Sequence, residues 1–201
     1  MMKYEFMANL NIENKTKENT TGIKSFNDGV NTPSDIPGYF ATALGYKFLP
    51  TLRATVEFHY FNDKNAGMAT AIDETISTAT NIVYKNKQKF LEHDTREYLI
   101  GCEYDISEHV TISGSYQYTD YGLSDNFQQQ TSFNCDSYAI GFGTRIKMSE
   151  KVNLNIGYMV SNYKDYTKNQ SNYASPSIPF SGTDIYSRTN KAFAFGVDYK
   201  F

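Results

Sequence analysis

The segment LRATVEFHYF, residues 52–61, sets Leu52, Ala54, Val56, Phe58 and Tyr60 against Arg53, Thr55, Glu57 and His59. Such period-two alternation is the mark of a strand with one apolar and one polar face. It recurs along the whole chain. Tyr98, Ile100, Cys102, Tyr104 and Ile106 oppose Glu97, Gly101, Glu103 and Asp105. Val110, Ile112, Gly114, Tyr116 and Tyr118 oppose Thr111, Ser113, Ser115, Gln117 and Thr119. At the end, Phe193, Phe195, Val197, Tyr199 and Phe201 take every second position up to the terminal carboxylate. The pattern predicts one β domain over residues 1–201. Its strands are expected near 3–13, 38–48, 52–62, 95–106, 110–121, 134–148, 152–163 and 189–201.

The connections narrow the architecture further. LPT (49–51), SEH (107–109) and SEK (149–151) read as tight turns, while long polar stretches occupy roughly 13–36, 62–94, 122–134 and 164–188. Short and long connections alternate, which places every long loop at one end. A soluble sandwich has no need of that, whereas an outer-membrane barrel has short periplasmic turns and long extracellular loops. The aromatic content, 17 Tyr and 14 Phe with no Trp, is too high for a disordered chain. No run approaches the roughly 20 apolar residues of a transmembrane helix. A membrane would therefore be crossed by strands of about ten residues.

The expected fold is thus all-β: an antiparallel transmembrane β-barrel of about eight strands. Spanning backbone must satisfy its hydrogen bonds internally, so the last strand is expected to pair with the first. Aromatic residues at both ends of the apolar face suit the two membrane interfaces.

Catalytic motifs do not emerge. His59, His93 and His109 lie apart without zinc spacing, and no G-x-S-x-G elbow, P-loop or cysteine–histidine set occurs. The reading is non-enzymatic, with no cofactor and no metal. A barrel lipase would need a serine within hydrogen-bonding reach of His59. FNDGVNTPSD (26–35) puts Asp28 and Asp35 in one loop but lacks the alternating ligands of a calcium loop, so it reads as an Asx-rich turn. Cys102 and Cys135 read as small residues on or beside strands, and KNKQK (85–89) as a solvated loop whose cations could meet lipopolysaccharide phosphates. A net charge of −3 gives no pointer to nucleic acid. The polar face supplies the lumen candidates: Arg53, Glu57, His59, Glu97, Glu103 and Arg145, joined by the apolar intruders Tyr39, Phe61, Leu99 and Met159. An apolar surface with a few placed polar groups suits a lipid-like solute.

Four stretches carry a family resemblance. They are FNDGVNTPSDIPGYFATALGYKFLPTLRATVEFHYFNDKNAGMA, NKQKFLEHDTREYLIGCEYDIS, TDYGLSDNFQQQTSFNCDSYAIGFG and TDIYSRTNKAFAFGVDYKF. Through them, residues 26–201 resemble the C-terminal part of the FadL/TodX family of outer-membrane transporters for long-chain fatty acids and aromatic hydrocarbons. The resemblance implies a 14-strand barrel with an N-terminal hatch, of which this chain would be the C-terminal portion, and passive uptake of a hydrophobic solute. GVDYKF resembles the signal read by the barrel-assembly machinery, carried by Gly196, Tyr199 and Phe201. Outer-membrane lipid and lipopolysaccharide would be further partners. The stretch ATAIDETISTATNIVY (69–84) departs from the family pattern and is expected as a loop helix. The alternative to a transporter is a complete eight-stranded barrel with a structural or adhesion role through its loops.

Overall fold

A computed structural model describes residues 1–72, 84–130, 132–170 and 181–201. Among them the strands run, in chain order, β1 (Met2–Glu5), β2 (Asn11–Glu13), β3 (Asn31–Pro33), β4 (Tyr39–Leu49), β5 (Leu52–Phe61), β6 (Ala69–Ile72) and β7 (Tyr84–Asn86). There follow β8 (Thr95–Asp105), β9 (Val110–Asp120), β10 (Ser137–Lys147), β11 (Val152–Tyr163), β12 (Tyr166–Gln170), β13 (Gly182–Tyr186) and β14 (Thr189–Tyr199). Eight of these form one antiparallel wall in the order β1-β4-β5-β8-β9-β10-β11-β14. The remaining six pair as three hairpins, β2–β3, β6–β7 and β12–β13, which continue beyond the wall at one end.

Register confirms the two faces. Opposite partners such as His59 and Glu97, Glu97 and Thr119, or Arg145 and Asn155 lie on one side throughout. On the other side Leu44, Phe142 and Phe193 stand 71%, 65% and 71% exposed. Eleven residues at a rise of about 3.3 Å, tilted by about 40°, cover about 28 Å, enough for a membrane's apolar band. Aromatic residues on the outward face pair at both ends: Tyr46 with Phe48 at 4.9 Å near the tight turns, Phe58 with Tyr98 at 5.3 Å near the loops. Arg96, Asp120 and Lys191 share the outward parity, but each lies within three residues of a loop-side strand end, where water is near.

The tight turns form as their sequences require. In SEHV and SEKV the serine and valine exchange backbone hydrogen bonds of 3.2–3.4 Å, and each serine hydroxyl accepts from the N–H two residues on. The 49–51 turn is preceded by a register shift between Lys47 and Leu49.

Three expectations are corrected. The predicted strand 3–13 is split into β1 and β2, although β1–β4, the Ala8–Ile36 bridge and β2–β3 keep one register. The break falls where that register sets Met7 opposite Pro37, which has no N–H to donate. Of the expected helix at 69–84, Ala69–Ile72 and Tyr84 are strand, and 73–83 lie outside the described residues. Lastly, β1 and β14 are the two edges of the wall and do not pair with each other. The edges do not match: β14 is an 11-residue strand, whereas β1 adds only four pairs to β4. The wall is an open arc.

Side-chain burial is concentrated in the loops. Phe127 and Cys135 keep 2% and 1% of their surface, and Val30, Ala66, Leu91 and Tyr186 are also buried. The wall residues buried with them, Ala41, Thr95, Thr119, Ser137 and Ser161, all face inward at the loop end. The loops therefore form a cap against the inner face at that end.

Candidate functional site

The inner face is arranged in tiers. Directly beneath the cap, His59 Nδ1 lies 3.1 Å from Glu97 Oε2 and its Nε2 lies 3.4 Å from Glu57. Glu97 Oε1 accepts from Gln117 Nε2 at 3.0 Å and from Thr119 Oγ1 at 3.1 Å. Tyr39 packs edge-on to His59 at 5.5 Å and against Phe61 at 4.8 Å. Both imidazole nitrogens thus face carboxylates.

The middle tier is a trough of about 900 Å³ lined by small side chains, among them Thr55, Ser113, Ser115, Gly143, Ala192 and Ala194. Glycine opposite hydroxyl keeps its floor flat. A Cβ at Gly141 would lie 2.6 Å from Ser115 Oγ, and one at Gly143 2.5 Å from Ser113 Oγ. The serines therefore lie down over the neighbouring strand instead of filling the lumen. Met159 is the large apolar group here, and it shares a smaller cavity with Leu99.

Below the trough, toward the tight turns, Arg53 bonds Glu103 and reaches Asp105 at 3.3 Å; Asp105 also accepts from Thr111 at 2.7 Å. Arg145 Nε donates to Asn155 Oδ1 at 3.4 Å, and Asn155 Nδ2 to Asp198 at 2.8 Å.

All ten lumen candidates share the inner face. Tyr39, Glu57, His59, Phe61 and Glu97 come together under the cap, Met159 lines the trough with Leu99 in the smaller cavity beside it, and Arg53 stands with Glu103 below. Arg145 stands apart from that pair. What the candidate set omitted is the floor itself. Its signal was present in the glycines, alanines and serines at alternate positions of the polar face, which a search for charged and aromatic groups passes over. Gly196 lies on the inner face opposite Asn155, while Tyr199 and Phe201 point outward with their rings 5.2 Å apart.

The cap is built from side chains. Lys87 lies over the Phe127 ring at 4.2 Å and donates to Ser132 through its carbonyl and hydroxyl oxygens, and burial lowers its pKa. It is not the solvated residue that its run of basic neighbours suggests. Gln128 ties the loop to Asn134 from both ends of its amide, and Cys135 Sγ lies 3.5 Å from the Tyr186 carbonyl. Burial pushes the Tyr121 hydroxyl up to about 12. Gly122, at φ 60°, passes so close to the His93 backbone that a Cβ would collide with it. Asp35 accepts the N–H groups of Leu10 and Gly67, and Asp28 that of Thr16, so both act as loop staples.

An antiparallel wall that is apolar outside, polar inside, tightly turned at one end and looped at the other defines the outer-membrane barrel class. The chain belongs to the family of outer membrane protein beta-barrel domains, which it matches over residues 8–201. Its fold is similar to that of a Pseudomonas aeruginosa FadL homologue, with a TM-score of 0.59 at 12% identity. That match covers 84% of this chain and 37% of that one. It is also similar to the P. putida toluene transporter TodX, with a TM-score of 0.51 at 11% identity, covering 86% of this chain and 39% of that one. This chain thus spans less than two fifths of either structure. No curated protein matches it. The protein is an outer-membrane protein, its outward face meets lipid, and its tight turns are periplasmic.

Proposed function

We propose that the chain forms part of an outer-membrane channel for passive uptake of hydrophobic solutes, such as long-chain fatty acids or aromatic hydrocarbons. The observation that carries this reading is the inner trough of about 900 Å³, kept clear by small residues along the wall. A wall meant only to be filled would carry branched side chains there, as packed small barrels do. Tyr39, Phe61, Leu99 and Met159 are the apolar contacts in this proposal, and Arg53, Glu57, His59, Glu97, Glu103 and Arg145 the polar groups that hydrate and orient. The activity is non-enzymatic. Assembly machinery would read Gly196, Tyr199 and Phe201, and the lipopolysaccharide contact would fall to the lysines of the 85–89 run other than Lys87, which turns into the cap.

The test is saturable binding of dodecanol to the folded protein in a sugar-headed detergent, followed by displacement of a fluorescent hydrophobic probe. Ala194→Phe, which fills the trough, should weaken binding by about tenfold, roughly the loss of one well-packed apolar contact. Binding that does not saturate, or that ignores this substitution, would remove the channel reading. The adhesion alternative has one observation in its favour, the ordered side-chain core of the cap.

A further inference from the structure

The periplasmic rim of the inner face is unevenly charged. On the β4–β8 side, Lys47 and Arg53 stand with Glu103 and Asp105, and Arg53 is bonded to both carboxylates. On the β9–β14 side four chain segments converge around a cavity of about 470 Å³. The turn residue His109 accepts the backbone N–H of Lys147 through its carbonyl at 2.8 Å, and Lys151 accepts that of Lys200 at 2.8 Å. Arg145 adds a guanidinium from β10, one pleat inside the rim. The cations are thus gathered by backbone hydrogen bonds between neighbouring strand ends.

Three carboxylates, Glu108, Glu150 and Asp198, stand among the four cations Arg145, Lys147, Lys151 and Lys200, which leaves the cavity a small positive excess. Asp198 is taken by the Asn155 amide, so its bond is to a neutral donor. Glu150 holds Lys147 at 2.7 Å but stands 89% exposed on the outer lip. The hydrogen bond from Lys147, that residue's charge, and the fields of His109 and Lys200 lower the Glu150 pKa, as a positive rim would. Among the described residues, Lys151, Lys200 and the terminal nitrogens of Arg145 have no carboxylate partner; Glu108 is the remaining acid of the cavity.

We propose that this side of the rim is an anion site that takes a carboxylate or a phosphate monoester presented from the lumen. Arg145 supplies the planar donor and Lys200 and Lys151 the flanking charges, the arrangement in which charge-assisted hydrogen bonds are strongest. The trough lies on the same inner face, its Gly143 two residues along β10 from Arg145 of the rim. In the amphiphile case, which rests on the proposed trough, an apolar tail lies against Ser113 and Ala194 while the head reaches the rim. The channel then distinguishes an acid from the corresponding alcohol.

The experiment measures dodecanoate, dodecanol and inorganic phosphate binding to the folded chain in neutral detergent. The charge contacts from Arg145, Lys200 and Lys151 should favour dodecanoate over dodecanol by about tenfold. Raising salt from about 0.05 to about 0.5 M should erode that margin and leave dodecanol unchanged. Arg145→Gln with Lys200→Gln should abolish the margin, and Glu150→Gln should widen it. Should the double variant not fold, Lys151→Gln and the salt series read the same margin. Phosphate that binds and competes with dodecanoate identifies the source as any small anion; dodecanoate preference without phosphate binding identifies the amphiphile. A wild-type protein that shows no anion preference, or a margin untouched by the substitutions and by salt, overturns the proposal. Loss of dodecanol binding with phosphate binding intact would remove the trough reading and leave the rim standing.

Discussion

In the wall, Phe193 and Leu44 point outward with 71% of their surface uncovered, while in the cap Phe127 keeps 2%. The two regions are held together by different forces. Lipid covers the apolar face of the wall, so its cohesion lies in ladders of backbone hydrogen bonds that the membrane cannot replace. The cap faces water and must bury its own apolar groups, so it is made like a small soluble domain, with Phe127, Leu91 and Tyr186 inside and Gln128 as a polar staple. A hydrophobic residue therefore means opposite things in the two places. In the wall it marks the outside, in the cap the inside.

The sharpest break of that contrast comes from Phe127→Ala. Truncating a fully buried aromatic should cost about 3–5 kcal/mol. The loss should appear as faster protease cleavage of the 121–136 loop, with the wall still giving a compact, heat-shifted band on gels. Cleavage at the wild-type rate would show that the cap does not depend on its core.

The converse substitution is Phe142→Arg, at the centre of the outward face. A cation at mid-depth on the lipid face should cost about 2–4 kcal/mol. Refolding yield into lipid vesicles should fall, while in detergent the cap should resist protease as before. An unaffected yield would mean that this face does not meet hydrocarbon.

A smaller effect separates the regions by pH. Burial is the main cause that holds the Asp63 carboxyl above its ordinary 3.8, against the hydrogen bonds from Thr95 that pull it down. The folded cap binds this proton more tightly than the unfolded chain does. Its contribution is complete below the ordinary carboxylate range and is lost as pH rises through the raised value. Hydrogen exchange of the 87–95 segment, corrected for intrinsic rates, should show slower opening toward acid pH, and Asp63→Asn should flatten that dependence. Equal slopes in both proteins would show that Asp63 is not the group responsible.

Much of the wall was legible from the sequence, because alternation is a local property of an extended chain. Once Leu52, Val56 and Phe58 share a side, Arg53, Glu57 and His59 must share the other, and the serine–glutamate turns join neighbours antiparallel. The inward placement of all ten lumen candidates follows from this. So does the outward run from Phe193 to Tyr199.

Tertiary structure decided the rest. Whether eight strands close depends on curvature and on the match of two edges distant in sequence, and here an 11-residue β14 meets a β1 with four pairs. The fate of Lys87 depended on Phe127 and Ser132, some forty residues away, and nothing in KNKQK announces them. The flat trough arose because Gly141 and Gly143 stand in register with Ser115 and Ser113, a pairing across strands that composition does not display. Periodicity along one strand assigns a side chain to a face. Only the packing of separate strands and loops decides what it meets there.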